Sequence, residues 1–244
     1  MTATGPPRLS NLSGLLDLFY PPAARCTACG RKLTGAEGPP LCGACDRALA
    51  LIPAHEPCPS CGRSDAARGC LACLRQDMRA LDALCAAFAH DGPARQLVHA
   101  LKYGKVFAAA PPLAEGMAEA LWAWREEFNL DFDLLTPVPL HKRQLRRRGF
   151  NQSMVLAEEL SALTGLPARE MLGRTVDTAQ QATLDAQARL DNMRGAFEPL
   201  RPMIGLRVLI IDDVRTTGAT AEAVALACKQ AQAARVGLLT ATRA

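Results

Sequence analysis

Leu113, Met117, Leu121, Trp124 and Phe128 recur every three or four residues, which lays their side chains along one helical face. That stripe predicts a long helix packed on a core. Residues 131–140 read as a strand ending in a Pro-punctuated turn, and 154–163 as a helix. Four consecutive apolar residues, Val208 to Ile211, predict a buried strand over 207–211. A helix over 220–232 and a second buried strand over 236–239 follow. Strands alternating with helices predict an α/β domain whose sheet is mainly parallel. Near the start, Leu12, Leu15, Leu16 and Phe19 make a short amphipathic segment expected to dock on the protein. Asp17 interrupts its apolar run and no cleavage box follows, so it is a poor secretory signal. No stretch reaches the ~20 apolar residues of a spanning helix, and a cytoplasmic protein is expected.

Composition sharpens this picture in two places. Aromatic residues are only 5% of the 244, so the core must be filled by Ala, Leu, Val and Ile, and 49% hydrophobic content excludes a disordered tail. The formal charge of +4, from 28 Lys+Arg against 24 Asp+Glu, is too mild to imply nucleic-acid binding by itself. Any contact with DNA must come from a local patch.

Eight of the ten cysteines form Cys-x-x-Cys pairs: Cys26/Cys29, Cys42/Cys45, Cys58/Cys61 and Cys70/Cys73. Two intervening residues let both sulfurs of one tight turn reach the same ion, and a second such turn completes a tetrahedron. In a reducing compartment this pattern predicts zinc rather than disulfides. Consecutive pairing gives two stacked ribbons with two zinc ions; interleaving gives a cross-braced module. Comfortable loop lengths favour the first. Four thiolates leave no open coordination position, so the zincs are expected to be structural. Cys85 and Cys228 stand apart and read as buried small hydrophobes; His55, three residues before Cys58, is a less economical ligand. The expected organisation is an N-terminal segment (1–22), a double zinc ribbon (23–80) and a larger domain (81–244). In the last, about 81–130 supply hood elements and 131–244 the core.

The stretch Val208–Thr220, VLIIDDVRTTGAT, carries the most chemistry. An apolar strand ends in two carboxylates, then a Thr/Gly loop, then a helix. Ligands of open α/β sheets bind at this carboxyl edge, and loop amides with a helix N-terminus make an anion cradle. Gly218 permits close approach of a phosphate, while Thr216, Thr217 and Thr220 offer hydroxyls beside Ala219. Asp212 and Asp213 would repel phosphate, yet they suit the two hydroxyls of a ribose. Diol and ester together describe a phosphoribosyl ligand.

These residues resemble the 5-phosphoribosyl-1-pyrophosphate (PRPP) motif of type I phosphoribosyltransferases. Pro137–Leu140, Arg143, RGFNQ at 148–152, Arg174, Gln180 or Gln181, Arg189, Asn192 and GAF at 195–197 extend the resemblance to the ComF family. So do the N-terminal Cys-x-x-Cys pairs and Leu101-Lys102-Tyr103-Gly104. The resemblance implies a type I phosphoribosyltransferase-like fold, PRPP bound with Mg²⁺, and catalytic roles for Asp212 and Asp213. It implies a part in DNA uptake during natural transformation, with single-stranded DNA or a competence helicase as partners. The fold kept as a non-catalytic DNA or protein module is the alternative, and no residue over 81–130 spells an acceptor pocket. Lys142, Arg143, Arg146, Arg147 and Arg148 put five cations into seven residues. By resemblance they form a loop that faces pyrophosphate; a DNA-backbone patch and a solvated charge run on a loop remain the alternatives. By the same resemblance the polar segment 174–194 takes the place of a lid; an exposed loop or a weak surface helix is the alternative. Lys102 and Tyr103 read as hood residues, and His90, His99 and His141 as isolated structural or exposed histidines.

Overall fold

The computed structural model describes residues 25–33, 40–53, 80–175, 195–216 and 218–244. The expectations for segment 1–22, His55, Cys58, Cys61, Cys70, Cys73, Gln180, Gln181, Arg189, Asn192 and Thr217 lie outside them. The described elements begin with α1 (Gly43–Arg47), β1 (Ala83–Ala89), α2 (Gly92–Gly104) and α3 (Ala110–Phe128). Then come β2 (Leu134–Pro137), α4 (Lys142–Arg148), α5 (Gln152–Thr164), β3 (Leu172–Arg174) and β4 (Phe197–Pro199). The last three are β5 (Arg207–Arg215), α6 (Ala219–Gln230) and β6 (Arg235–Arg243).

Four strands form one sheet in the order β1-β6-β5-β2, every pair parallel, and β3 pairs antiparallel with β4. Helices on both faces explain why β5 opens as an uninterrupted apolar run, for Val208, Leu209, Ile210 and Ile211 are all buried. Leu209, Ile211, Leu239 and Ala241 share one core with α2, α3 and α5. Val208, Ile210, Val236 and Leu238 share the other with α6 and the β3–β4 pair. The predicted stripe of α3 faces the first core, and Gly116 lets that helix press on β1. A Cβ there would sit 2.0 Å from Phe88 Cζ.

The cysteine-bearing segment docks on the sheet edge. Leu51 bridges antiparallel to Phe88, and the Ile52 N–H donates to the Ala87 carbonyl at 2.8 Å. Pairing of this kind covers an edge strand that would otherwise be open. Cys26, Leu41, Cys42 and Cys45 belong to the same core as α2 and α3.

Direction of travel across the sheet changes at one place. From β2 the chain passes through α5 and returns outside β2, where Leu135 bridges in parallel to Ala168. From β5 it passes through α6 to β6, on the opposite side and over the opposite face. The carboxyl ends of β2 and β5 therefore flank a topological switch point, where such sheets leave a crevice.

Three expectations change. β5 runs to Arg215 rather than ending at Ile211, because β6 continues to Arg243 and supplies a ladder partner. The basic run is helix α4 rather than a loop, and β1 adds a strand to the sheet within residues 81–130. Among the described residues, no helix is long and apolar enough to cross a membrane.

Candidate functional site

Asp212 and Asp213 are adjacent in a strand, so their side chains leave opposite faces of the sheet. Asp213, 3% exposed, receives Lys102 Nζ of α2 at 3.0 Å and Gln152 Nε2 of α5 at 3.5 Å. Asp212 Oδ1 accepts from Ser153 Oγ and from the Asp213 N–H, both at 2.9 Å. Burial, and next the charge of Asp213, push the Asp212 carboxyl up to about 7, against the pull of the Ser153 hydroxyl. This acid therefore keeps its proton to higher pH than an ordinary carboxyl.

The segment RGFNQ supplies the scaffolding. Gly149, at φ +90°, stops α4. Asn151 caps α5 by accepting from the Ser153 N–H at 3.1 Å, and its Nδ2 donates to the Val138 carbonyl at 3.0 Å. That double hold fixes the start of α5 to the exit of β2, which brings Gln152 and Ser153 to the acids. Arg148 donates to Gln152 Oε1, completing a relay from guanidinium to amide to Asp213.

Both acids open on a cavity of about 450 Å³ over the carboxyl edge. Arg95, His99, Lys102 and Tyr103 line it from α2 at helical spacing, with His90 at the end of β1. Arg148 and Arg174 complete a cationic wall of four against two carboxylates, a balance suited to an anionic ligand. The Arg148 guanidinium lies 6.0 Å from the centre of the Tyr103 ring, which packs at 4.8 Å from that of His99. Lys142, Arg143, Arg146 and Arg147 are exposed on α4; Arg148 alone of the run lines the cavity. His141 instead caps α4, accepting from the Arg143 N–H.

The loop after β5 turns through Gly218 at φ +85°, the residue preceding α6. Thr216 and Thr220 line the large cavity and, with Gly218, a smaller one of about 50 Å³ beneath the turn. Thr240 lines that smaller cavity fully buried, and its hydroxyl has no hydrogen-bond partner among the described residues. A left-handed glycine, two threonines and a helix N-terminus make a cradle for an anion.

Of the cysteines, Cys26, Cys29, Cys42 and Cys45 come together, their sulfurs within 4.8 Å of one another. Cys29 Sγ lies 3.8 Å from Cys42 Sγ, the separation of about 3.8 Å that a tetrahedral ion with ~2.3 Å bonds imposes. This is the grouping that consecutive pairing expects. The N–H of Cys45, assisted by Arg31 against burial, holds the Cys42 thiol down to about 6, while burial and the neighbouring thiols push the Cys45 thiol up. Gly30, at φ +73°, closes the first knuckle with its N–H on the Cys26 carbonyl at 2.8 Å. Cys85 and Cys228 are buried, and burial pushes both thiols up to about 12.

No family model matches the chain. The DNA utilization protein YhgH of Salmonella typhimurium is 33% identical over 189 residues, which cover 76% of this chain and 82% of that protein. Competence protein F of Haemophilus influenzae is 28% identical over 208 residues, 80% of this chain and 86% of that one. Competence protein ComFC of Bacillus subtilis is 25% identical over 195 residues, 74% of each. Among solved structures, a glutamine PRPP amidotransferase from B. subtilis is similar over 56% of this chain and 26% of that chain, at 19% identity and a TM-score of 0.39. A purine phosphoribosyltransferase from Pyrococcus horikoshii is similar over 55% of this chain and 82% of that one, at 17% identity and a TM-score of 0.35. With a third of the 189 aligned residues identical over 82% of the YhgH chain, the protein belongs to the ComF family of competence and DNA-utilization proteins.

Proposed function

We propose that the cavity between the ends of β2 and β5 binds PRPP, and that the protein is a phosphoribosyltransferase-like member of the DNA-uptake machinery. One observation carries this: an acid pair, a glycine-turned anion cradle and a cationic wall meet at a single switch-point cavity. Asp212 and Asp213 take the ribose diol, and the 216–220 turn, with Thr216, Thr217, Gly218, Ala219 and Thr220, takes the 5′-phosphate. Arg148, Lys102 and Arg174 face the pyrophosphate, with Arg143, Arg146, Arg147 and Lys142 adding long-range field. Such fixed cations stabilise a leaving group that gains charge as it departs. Mg²⁺, bound with PRPP, supplies further charge neutralisation. Lys102 must leave Asp213 for the sugar to enter, turning from acid partner to pyrophosphate partner.

The first cysteine quartet holds a structural zinc on this reading, and the second quartet a further one. The ribbon unit (23–80) buttresses the edge of the phosphoribosyltransferase-like domain (81–244). Titration calorimetry with PRPP and Mg²⁺ tests the site. Binding that disappears in the Asp212→Asn/Asp213→Asn double variant supports it, and equal binding in that variant rejects it.

A second reading has its own observation. Tyr103 and Phe107 are more than half exposed, Phe107 meets Phe150 at 4.9 Å between ring centres, and Phe150 lies one residue beyond the Gly149 stop of the basic helix α4. Exposed rings beside cations are the elements of a single-strand platform. Arg146→Ala/Arg147→Ala should then reduce the salt dependence of labelled single-strand binding by about 1.4 units of slope; an unchanged slope places DNA elsewhere.

A further inference from the structure

His90 directly follows β1, two strands across the sheet from β5, and lines the cavity. Its hydrogen bonds decide which ring nitrogen is a base. The backbone N–H donates to the Arg243 carbonyl at 2.6 Å, so the residue is anchored to β6. On the ring, Nδ1 lies 2.8 Å from Thr242 Oγ1. Thr242 is fully buried, and its hydroxyl donates to the Asp213 carbonyl at 3.2 Å. A hydroxyl has one proton to give. With that proton committed to Asp213, the bond between Thr242 and His90 requires Nδ1 to carry hydrogen. The neutral tautomer that satisfies both contacts carries its hydrogen on Nδ1, which leaves Nε2 a lone pair with no partner among the described residues.

The surroundings keep the ring neutral. Burial leads, followed by Arg95, with Lys102 in support; Asp213 and Asp91 act in the opposite direction, and the balance lowers the imidazole below its ordinary range. The other candidate bases are engaged. On the proposed PRPP reading the ribose diol takes Asp212 and Asp213, and His99 lies on α2 with its ring packed on Tyr103, without the strand-anchored hydrogen bond that orients His90. Thr242 places the imidazole one hydroxyl from the backbone of a ribose-site acid.

We propose that His90 Nε2 is the general base of phosphoribosyl transfer, accepting the proton of an attacking N–H or O–H group. The acceptor's lone pair forms the new bond to C1 of the sugar, and the C1–O electron pair leaves with pyrophosphate. The acceptor's proton ends on Nε2. This inference rests on the proposed PRPP site and assigns the acceptor to the β1–α2 end of the cavity.

His90→Asn tests it, because the Asn amide keeps a donor toward Thr242 while removing the base. Pyrophosphate release would be measured from pH 4.5 to 8.5, to reach the limb of an imidazole held below its ordinary range, with ammonia, free nucleobases and water as probe acceptors. PRPP affinity, from calorimetry, should change less than about twofold. The turnover number should fall by about 100-fold or more, with the acidic limb of the wild-type pH profile gone. ¹⁵N NMR of the ring should show hydrogen on Nδ1 at neutral pH. Wild-type turnover in the variant, hydrogen on Nε2, or no pyrophosphate release by the wild type with any probe overturns the assignment. Failure of the wild type to bind PRPP would remove the proposed site and the base with it, whereas normal binding with unaltered turnover removes the base alone.

Discussion

Replacing Asp212 by Asn should make the protein more stable at neutral pH while destroying the site. Folding moves this carboxyl from an ordinary 3.8 to about 7. Between those values the native protein keeps a proton that the unfolded chain has released. Wild-type stability therefore falls as pH rises across that window, and the penalty is complete above about 7. Three units correspond to about 4 kcal/mol at full strength. Asp212 borders an open cavity, where water screens the charge, so about 1–3 kcal/mol is the expected penalty. Asn cannot ionise, and its carbonyl oxygen still accepts from Ser153 and the Asp213 N–H. Urea unfolding at pH 5 and pH 8 in Mg²⁺-free buffer, without chelator so that zinc stays bound, reads the difference. The variant should gain about 1–3 kcal/mol over wild type at pH 8 and less at pH 5, with an unchanged m value. A difference that is the same at both pH values refutes the claim that burial and Asp213 raise this acid.

Further predictions concern the scaffold. Gly116→Ala should cost about 1–3 kcal/mol, since its Cβ overlaps the Phe88 ring; thermal melts should show Phe88→Leu recovering much of the loss, and simple addition of the two losses contradicts the packing. Cys42→Ser should lower zinc content by elemental analysis and destabilise the 25–53 region by hydrogen exchange; unchanged zinc would count against the quartet. Asp133→Asn should cost up to about 1 kcal/mol at pH 7. Arg207 holds the Asp133 carboxyl below its ordinary 3.8, so this contribution is present above that pH and should vanish as pH falls through the depressed value. A cost that persists in acid would contradict the pairing.

What could be seen in the sequence was local. The β5–turn–α6 unit was legible because Val208–Ile211, the acid pair and Gly218 each impose a local conformation in the right order. The first quartet was legible because Cys-x-x-Cys spacing itself sets the geometry. β1 was not. Its sequence ALCAAFA is alanine-rich with weak strand preference, and it becomes a strand through parallel pairing with β6, more than a hundred residues onward. The basic run was expected as a loop, yet KRQLRRR consists of good helix formers, capped by His141 and stopped by Gly149. Lys102, Gln152, Ser153 and His90 joined the site only through tertiary folding. The RGFNQ segment was a signal for two of them, since an Asn followed by a helix-length apolar pattern reads as a cap that would aim Gln152 and Ser153. No local pattern distinguishes Lys102 or His90 from a surface lysine or a lone histidine.

A crystal structure of the wild-type protein soaked with PRPP and Mg²⁺ bears most directly on the cavity between β2 and β5. Density should place the ribose hydroxyls within hydrogen-bond distance of Asp212 and Asp213, the 5′-phosphate on the 216–220 turn and Lys102 released from Asp213. A ligand bound elsewhere, or a cavity left unchanged with Lys102 still on Asp213 at saturating PRPP, would contradict a phosphoribosyl site.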